Sequence, residues 1–311
     1  MRDCVAVIGA GLMGSGIAAI SALSGHRTLL VDKDLELSGK GVANAKLNIG
    51  ELQVNGLVST QDANKAFGLL QVCDNIEAAC EKAFVVIEAI VENLEIKQKM
   101  FTLLDRLLPV GIPILSNTSG LRITDIAAFT TKPERTMTAH FWFPAHLVPL
   151  VEVVMSDKTD EDIALKVKSM LTDWGKKPVI VKRDLPGQLA NRILQAVIRE
   201  ATNIVEMGLA TPEDVDTAVK MGMGIRFPVW GPLEHIDAVG LDLGLSVQQT
   251  VLPYLYNESK PVESLKKLVD EGHKGYKTGK GYYDWSVKDM EALAIKRNKF
   301  IISALKIIRD L

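Results

Sequence analysis

The chain has 311 residues, of which 47% are hydrophobic and 24% are charged, and its formal net charge at pH 7 is −2. The composition is that of an ordinary globular protein, and the length allows two domains. A charge balance this close to zero excludes a strongly basic chain and gives no electrostatic indication that the protein binds nucleic acid or an anionic membrane.

The first part of the chain alternates short apolar runs with stretches of helical periodicity. Alternation of this kind predicts an α/β fold with a mostly parallel, doubly wound sheet. The predicted strands are Asp3–Ile8, Arg27–Val31, Leu69–Val72, Phe84–Ile87, Ile112–Leu115, Thr136–His140, Val151–Val154 and Pro178–Val181. The predicted helices between them include Leu12–Leu23, Leu35–Asn55, Thr60–Phe67, Leu94–Leu107 and Asp160–Trp174.

The pattern changes at Arg183–Gly187, and almost every later segment is helical in its periodicity. We therefore predict an α/β domain over residues 1–185 and an all-helical domain over residues 186–311. The predicted helices are Leu189–Met207, Pro212–Lys220, one from Val229 onward, Leu241–Leu255, Val262–Glu271 and Asp289–Ile308. The last of these carries an apolar stripe at i, i+3, i+4 spacing, which suits packing or assembly.

Cysteine usage and apolar run lengths indicate the compartment. Cys4, Cys73 and Cys80 are odd in number and lack the spacing of metal ligands, so we expect reduced, mostly buried thiols and no metal site. No stretch reaches the roughly 18 apolar residues of a membrane span, and no signal sequence precedes the first strand. A cytoplasmic location is therefore expected.

The first strand runs into a glycine-rich loop, IGAGLMG. Gly9, Gly11 and Gly14 form G-x-G-x-x-G between a strand and a helix, which is the context of a dinucleotide-binding loop. The helix N-terminus, at Leu12 and Met13, offers backbone N–H groups to a pyrophosphate. Asp32 ends the next strand and suits an adenine ribose, which favours NAD over NADP. The alternative is an ordinary strand–turn–helix with three glycines, but strand, helix and acid together favour the cofactor.

Polar residues also follow two later strands, at the sheet edge where doubly wound folds bind ligands. Glu88 and Glu92 lie in IEAIVENLEIK; Glu92 could contact a ligand, cap the helix starting near Asn93, or do both. Asn117 and Ser119 lie in SNTSGL, which is either a cluster of hydrogen-bond donors or an ordinary polar loop.

The stretch HFWFPAHLVPLVEV places an ionisable pair among apolar residues. His140 ends one predicted strand and Glu152 lies in the next, so a reversal containing Pro144 would bring them face to face. A carboxylate beside an imidazole fixes its tautomer and orients it as a general base. The alternative is a buried pair that only joins two strands. His146 is a rival base, which we expect to be solvent-facing or substrate-lining.

These motifs occur in an order that resembles the L-3-hydroxyacyl-CoA dehydrogenase family. The resemblance covers roughly residues 5–285 and includes IGAGLMGSGIA, EAIVENLEIK, SNTSGL, H-F-x-x-P, PGQLANR and GYKTGKGYYDW. It implies a Rossmann-type NAD domain, then an all-helical domain that usually mediates dimerisation. The implied reaction is oxidation of a 3-hydroxyacyl-CoA, such as 3-hydroxybutyryl-CoA, to the 3-ketone, as in fatty acid metabolism.

The resemblance also implies residue roles. His140 would be the general base and Glu152 its orienting partner, while Ser119 and Asn191 would bind the substrate oxygen in a cleft between the domains. The residues implied to contact NAD are those of the glycine loop (Gly9, Gly11, Leu12, Met13 and Gly14), together with Asp32, Glu92 and Asn117.

Two positions depart from the family pattern. Phe143 stands where the motif H-F-F-N-P has asparagine, so an aromatic ring replaces an amide in the expected substrate site. Gln188 stands where phenylalanine is commoner. The segment HLVPLV resembles relatives that act on small hydroxy acids, including gulonate, carnitine and pyridine-carboxylate dehydrogenases. The sequence therefore leaves a CoA thioester, a free hydroxy acid and, third, a non-catalytic NAD-binding role as hypotheses.

Overall fold

The structure, a computed structural model, describes residues 2–308. The chain forms two compact units, which divide between Arg192 and Ile193. No helix in the described range is long and apolar enough to cross a membrane. The three cysteines are free thiols, two of them buried, as the sequence predicted.

The first unit contains one eight-stranded sheet in the order β3-β2-β1-β4-β5-β6-β7-β8. All neighbouring strands are parallel except β6 and β7, which are antiparallel. This confirms the predicted doubly wound α/β sheet. The strands are β1 (Cys4–Ile8), β2 (Arg27–Val31), β3 (Leu70–Val72), β4 (Ala83–Glu88), β5 (Ile114–Ser116), β6 (Thr136–Phe141), β7 (Leu150–Met155) and β8 (Lys177–Val181).

The helices of the first unit begin where short polar residues can accept backbone hydrogen bonds. Asp34, Ser59, Asn75, Asn93 and Asp160 each accept one from the third residue that follows, which satisfies a donor of the first turn. The helices are α1 (Leu12–Leu23), α2 (Leu35–Val54), α3 (Thr60–Leu69), α4 (Ile76–Lys82), α5 (Leu94–Leu107), α6 (Ile123–Ile126) and α7 (Glu161–Asp173).

Most predicted boundaries in this unit agree with the structure to within two residues. The strand predicted from Ile112 begins instead at Ile114, because Pro113 has no N–H to donate to the ladder. The short helices α4 and α6 were not individually predicted, since seven and four residues are too few for a periodic signal.

The core of the first unit lies on both faces of the sheet. Every residue of β1 is at most 2% exposed, and burial of each large aliphatic side chain contributes about 1.5–3 kcal/mol. Helix α1 presents small residues to its neighbours, and a Cβ at Gly41 of α2 would lie 2.5 Å from the Ala10 Cβ. This close approach packs α2 against the glycine loop.

The second unit is helical, with isolated bridges at residues 275–284 and no strand in its described part. Helix α8 (Ala190–Glu206) begins just before the division between the units. The other helices are α9 (Pro212–Ala218), α10 (Pro232–Val239), α11 (Leu241–Val251), α12 (Glu263–Asp270) and α13 (Met290–Ile308).

Three helix boundaries in this unit differ from the prediction. The helix predicted over Pro212–Lys220 ends at Ala218 and continues as a π-helical segment to Gly224. The helix predicted from Val229 starts at Pro232, a residue suited to the first helical position. The helix predicted to reach Leu255 ends at Val251 and gives way to a 3-10 turn, because Pro253 removes a backbone donor.

Candidate active site

The carboxyl ends of β1, β4, β5 and β6 lie side by side at one edge of the sheet. Cα register pairs Ile8 with Glu88, and Glu88 with Ser116. The segments that follow these strands therefore meet, as the sequence predicted, because all four strands run in the same direction. His140 lies one residue before the end of the fourth of them.

The glycine loop has the local geometry of a phosphate-binding loop. Gly9 has φ +103°, and a Cβ there would lie 2.5 Å from Ala89 O; a Cβ on Gly14 would lie 1.8 Å from Gly9 O. At Gly11, by contrast, an added Cβ would meet open space. Gly11 is the N-cap residue of α1, and no side chain caps the N–H groups of the first turn. The residues therefore fit a dinucleotide, whose pyrophosphate needs close backbone approach and uncapped N–H groups. Leu12 is exposed and Met13 half-buried at this helix start.

Asp32 is fixed beside this loop by two backbone donors. Ala10 N donates to Asp32 Oδ2 at 2.6 Å, and Lys33 N donates to Oδ1 at 2.7 Å. The carboxylate is half-buried at the end of β2. Its negative charge therefore lies next to the glycine loop, where a 2′-phosphate would meet repulsion.

Glu92 organises the loop that contains Ser119. Its Oε1 accepts hydrogen bonds from Thr118 Oγ1 at 2.6 Å and from the Ser119 and Gly120 backbone N–H groups at 3.1 Å. Burial by itself would raise the pKa of Glu92, but these bonds and Lys97 outweigh it and lower the pKa. The suggested helix-capping role was wrong, because Asn93 next to it accepts from the helix backbone.

Glu88 is fully buried beneath this loop and is satisfied by protein groups. Its Oε1 accepts from Lys97 Nζ and Ile90 N, each at 2.7 Å, and its Oε2 accepts from Ser116 Oγ at 2.7 Å. Such a network joins β4, β5 and α5 and leaves Glu88 a structural role.

Asn117 and Ser119 follow β5 but differ in their surroundings. Asn117 Oδ1 accepts from Phe141 N at 2.8 Å, which fastens the end of β6 to the loop after β5. Ser119 is exposed at the surface of the same loop. Gln188 Nε2 donates to Thr118 O at 3.0 Å, so the loop is also tied to the segment before Asn191.

His140 and Glu152 are in direct polar contact at this edge. The antiparallel register places the two residues directly opposite each other, and His140 Nδ1 lies 2.7 Å from Glu152 Oε2. His140 is 8% exposed and Glu152 is fully buried. The structure therefore brings together the pair that the sequence predicted.

Glu152 is held by four N–H donors. His140 Nδ1 and Trp142 Nε1 contact Oε2, and the Leu189 and Ala190 backbone N–H groups donate to Oε1 at 2.9 and 2.8 Å. Burial would raise the pKa of Glu152, but these four bonds outweigh burial and lower the pKa to about 2. Glu152 is therefore a carboxylate at neutral pH, and it fixes both the imidazole and the start of α8.

Sequence reasoning missed Trp142 and the two backbone donors. Trp142 follows His140 by two residues, and this spacing on an extended chain was a signal that both side chains lie on one face. The backbone donors had no sequence signal, because they depend on where the start of α8 lies. Asn191 is the second residue of α8, next to the Ala190 donor, and Arg192 ends the first unit.

The reversal between β6 and β7 contains Phe143, a predicted substrate residue, and His146, for which solvent exposure was one of two predictions. Phe143 is 50% exposed and precedes the cis Pro144. His146 is not solvent-facing: it is 8% exposed, and its Nε2 lies 2.7 Å from Glu51 Oε2 on α2. Burial lowers the pKa of His146, while Glu51 opposes the change.

Comparison with known proteins identifies the family. The 3-hydroxyacyl-CoA dehydrogenase NAD-binding domain matches residues 4–185, and the C-terminal domain of the same family matches residues 187–285. A probable 3-hydroxybutyryl-CoA dehydrogenase of Bacillus subtilis is 37% identical over 285 residues, which cover 91% of this chain and 98% of that protein.

Two further similarities involve a pyridine-carboxylate enzyme. The 5-formyl-3-hydroxy-2-methylpyridine 4-carboxylate 5-dehydrogenase of Mesorhizobium japonicum is 31% identical over 305 residues, covering 98% of this chain and 97% of that protein. A crystal structure of a dehydrogenase for this substrate, described as an NAD+-dependent dismutase, has a TM-score of 0.89 at 29% identity and covers 99% of both chains. Domain matches, fold and overall similarity agree: the chain belongs to the 3-hydroxyacyl-CoA dehydrogenase family and is an NAD-dependent dehydrogenase.

Proposed function

We propose that the chain oxidises the 3-hydroxy group of a 3-hydroxyacyl-CoA, such as 3-hydroxybutyryl-CoA, to a 3-keto group, with His140 as general base. The observation that supports this most is the 2.7 Å contact between His140 Nδ1 and the fully buried Glu152 carboxylate. The pair lies at the sheet edge that also carries the glycine loop. The Bacillus subtilis relative supports the acyl-CoA substrate.

The contact determines which ring nitrogen can take the proton. Because the Glu152 carboxylate can only accept, Nδ1 of His140 carries the ring proton, and Nε2 keeps a lone pair. Nε2 is then the atom that removes the hydroxyl proton of the substrate. The imidazolium that results is stabilised by Glu152, and it returns the proton in the reverse reaction.

Ser119 and Asn191 complete the proposed catalytic set. Their hydroxyl and amide groups would donate hydrogen bonds to the substrate oxygen and stabilise the charge that develops on it. Phe143, half-exposed in the reversal after β6, would line the substrate. The bond from Gln188 Nε2 to Thr118 O ties together the segments that carry Ser119 and Asn191.

The cofactor contacts are proposed for residues 1–185, the NAD-binding domain, with residues 186–311 as the substrate and dimerisation domain. NAD, when bound, supplies the acceptor for the hydride of the carbinol carbon. The glycine loop would bind its pyrophosphate and Asp32 its adenine ribose. Glu92 and Asn117, which shape the loops after β4 and β5, would border its nicotinamide end. The proposed contacts of the glycine loop are Gly9, Gly11, Leu12, Met13 and Gly14.

We also propose a homodimer formed through the second unit, in a cytoplasmic enzyme whose free thiols suit that compartment. Within residues 193–308, Val262 and Ile302 are the only hydrophobic side chains with less than 9% exposure. Leu233, Leu209 and Met221 are at least 70% exposed. A helical unit with so little buried surface needs a partner, and a second copy supplies a self-complementary one. Sedimentation as a monomer at micromolar concentration would contradict this.

The reaction is tested directly with purified protein, NAD and 3-hydroxybutyryl-CoA. We expect NADH absorbance to rise, and a His140→Gln variant to lose turnover while its NAD affinity is unchanged. An absence of NADH at high enzyme concentration would exclude the acyl-CoA substrate. Full activity of His140→Gln would exclude the role of His140.

A second candidate substrate is a free small hydroxy acid or related alcohol, as for gulonate, carnitine or pyridine-carboxylate dehydrogenases. Two observations favour it. Phe143 replaces an amide in the reversal after β6, and the pyridine-carboxylate dehydrogenase structure is similar to this chain over 99% of both chains, with a TM-score of 0.89. A panel of free hydroxy acids and CoA thioesters decides between them, since turnover of thioesters alone removes this candidate.

A further inference from the structure

Trp142 contacts both members of the proposed catalytic pair. It follows β6 directly, two residues after His140, so both side chains lie on one face, while Phe141 between them is buried on the other. Trp142 Nε1 donates to Glu152 Oε2 at 3.0 Å. The ring centroids of His140 and Trp142 are 5.6 Å apart.

The two aromatic donors therefore share one carboxylate oxygen. Glu152 Oε1 is already occupied by the Leu189 and Ala190 backbone N–H groups. Since Glu152 is fully buried, solvent cannot readily replace a donor that is removed. The charge that Oε2 presents to His140 depends on whether the Trp142 indole donates to it.

We propose that Trp142 is a positioning residue that sets, through Glu152, the pH range over which His140 exchanges its proton. The indole N–H withdraws negative charge from Oε2, so that the carboxylate stabilises the imidazolium less than an unshared oxygen would. Trp142 thereby favours the neutral ring, which is the form that accepts a proton. The effect on catalysis rests on the proposed function, whereas the change in the pH range of His140 does not.

Glu152 is the charged group in contact with His140. Asp125 and Arg192, on neighbouring elements, contact other partners. Strand β5 carries no charged residue, and β7 carries Glu152 alone. Asp125 of α6 lies 3.9 Å from Arg122, and Arg192 of α8 donates to Pro186 O. Within the described range, Glu152 is the one carboxylate within 4.0 Å of the His140 ring nitrogens.

The N–H of Trp142 is a feature of this chain rather than of the family motif. The motif H-F-F-N-P has phenylalanine at the position of Trp142. Phenylalanine keeps an aromatic ring beside His140 but has no donor for Glu152. A Trp142→Phe substitution therefore removes the hydrogen bond while it preserves most of the packing.

The test is an NMR pH titration of the His140 ring in the NAD-free and substrate-free protein, with the resonance assigned by its loss in His140→Gln. We expect Trp142→Phe to move the titration midpoint up by about 0.5 pH unit. The matched control is Trp174→Phe, because the buried Trp174 Nε1 has no hydrogen-bond partner; we expect no movement. An unchanged or lowered midpoint in folded Trp142→Phe would overturn the proposal.

If Trp142→Phe does not fold, ring-fluorinated tryptophan in the Trp174→Phe background gives the opposite perturbation. Its indole N–H is a stronger donor, so the midpoint should move down, and an upward or absent shift would count against the proposal. Once a substrate is known, the pH dependence of the reaction rates gives a further test. Trp142→Phe should move the pH dependence of both oxidation and reduction to higher pH, whereas a merely structural loss would lower rates at every pH. Because the titration needs no turnover, failure of the substrate assignment is distinguishable from failure of this inference.

Discussion

Glu152 Oε2 lies 2.7 Å from His140 Nδ1, and the two residues are direct partners across the antiparallel pair β6–β7. The eleven residues that separate them in sequence form the end of one strand, a reversal and the start of the next. The contact joins a buried carboxylate to a ring that is 8% exposed, which gives the ring both an anchored orientation and access.

The first prediction concerns the separate effects of Glu152 on turnover and on NAD affinity. Glu152→Gln should lower kcat by about 10²–10⁴, because an amide neither fixes the His140 tautomer nor stabilises the imidazolium. NAD affinity, measured by fluorescence titration, should stay unchanged, because the hydrogen-bond donors of Glu152 lie at β6 and at the start of α8 and none belongs to the glycine loop. A large loss of NAD affinity in this variant would contradict the separation of roles.

The second prediction is a pH dependence of stability. The pKa of Glu152 is about 2 in the folded protein against an ordinary 4.5. A lowered carboxyl pKa contributes stability that is fully present above pH 4.5 and is lost as the pH falls through about 2, a contribution of about 3 kcal/mol. The difference in unfolding free energy between wild type and Glu152→Gln should therefore shrink over that range in urea titrations. Glu258→Gln, at an exposed site, is the matched control.

The third prediction separates two glycines of the cofactor loop. Gly11→Ala should lower NAD affinity about tenfold or more with little change in Tm, because its Cβ enters open space needed by the pyrophosphate. Gly14→Ala should lower Tm strongly, because its Cβ would lie 1.8 Å from Gly9 O and the backbone must shift. Equal Tm losses in the two variants, measured by calorimetry, would contradict the assignment.

The fourth prediction concerns cofactor choice. Asp32→Ala removes the carboxylate held by Ala10 N and Lys33 N. The ratio of kcat/KM for NAD to that for NADP should fall by about tenfold or more, because both the ribose contact and the repulsion of a 2′-phosphate are lost. Asp32→Glu keeps the charge and serves as the control. An unchanged ratio in Asp32→Ala would exclude Asp32 from cofactor selection.

The fifth prediction concerns His146. Burial lowers the pKa of His146 from its ordinary 6.5, despite the opposing hydrogen bond of Glu51. A histidine with a lowered folded pKa contributes stability above pH 6.5 that is lost as the pH falls below it. The Tm of the wild type should therefore fall with acidification over this range, and His146→Gln should reduce that dependence. The matched control is His273→Gln, because the His273 side chain is 29% exposed against 7% for His146; an equal effect of both variants would contradict the prediction.

Local sequence patterns determined most of the fold and the cofactor. The glycine loop with Asp32 predicted an NAD-binding domain, and alternating apolar runs predicted a parallel sheet, because both signals are short-range and depend on backbone geometry. The pairing of His140 with Glu152 was also predictable, since one reversal separates two adjacent strands.

Only the tertiary structure decided what surrounds that pair. Glu92, for which the sequence predicted ligand contact, helix capping or both, organises the Ser119 loop. His146 proved buried against Glu51. Neither contact was predictable, because each joins segments far apart in sequence. The four donors of Glu152 come from β6, from the residue after it and from the start of α8. A sequence pattern fixes which residues share a strand or helix face, but it does not fix which distant backbone N–H groups reach a buried carboxylate, and those donors keep Glu152 charged.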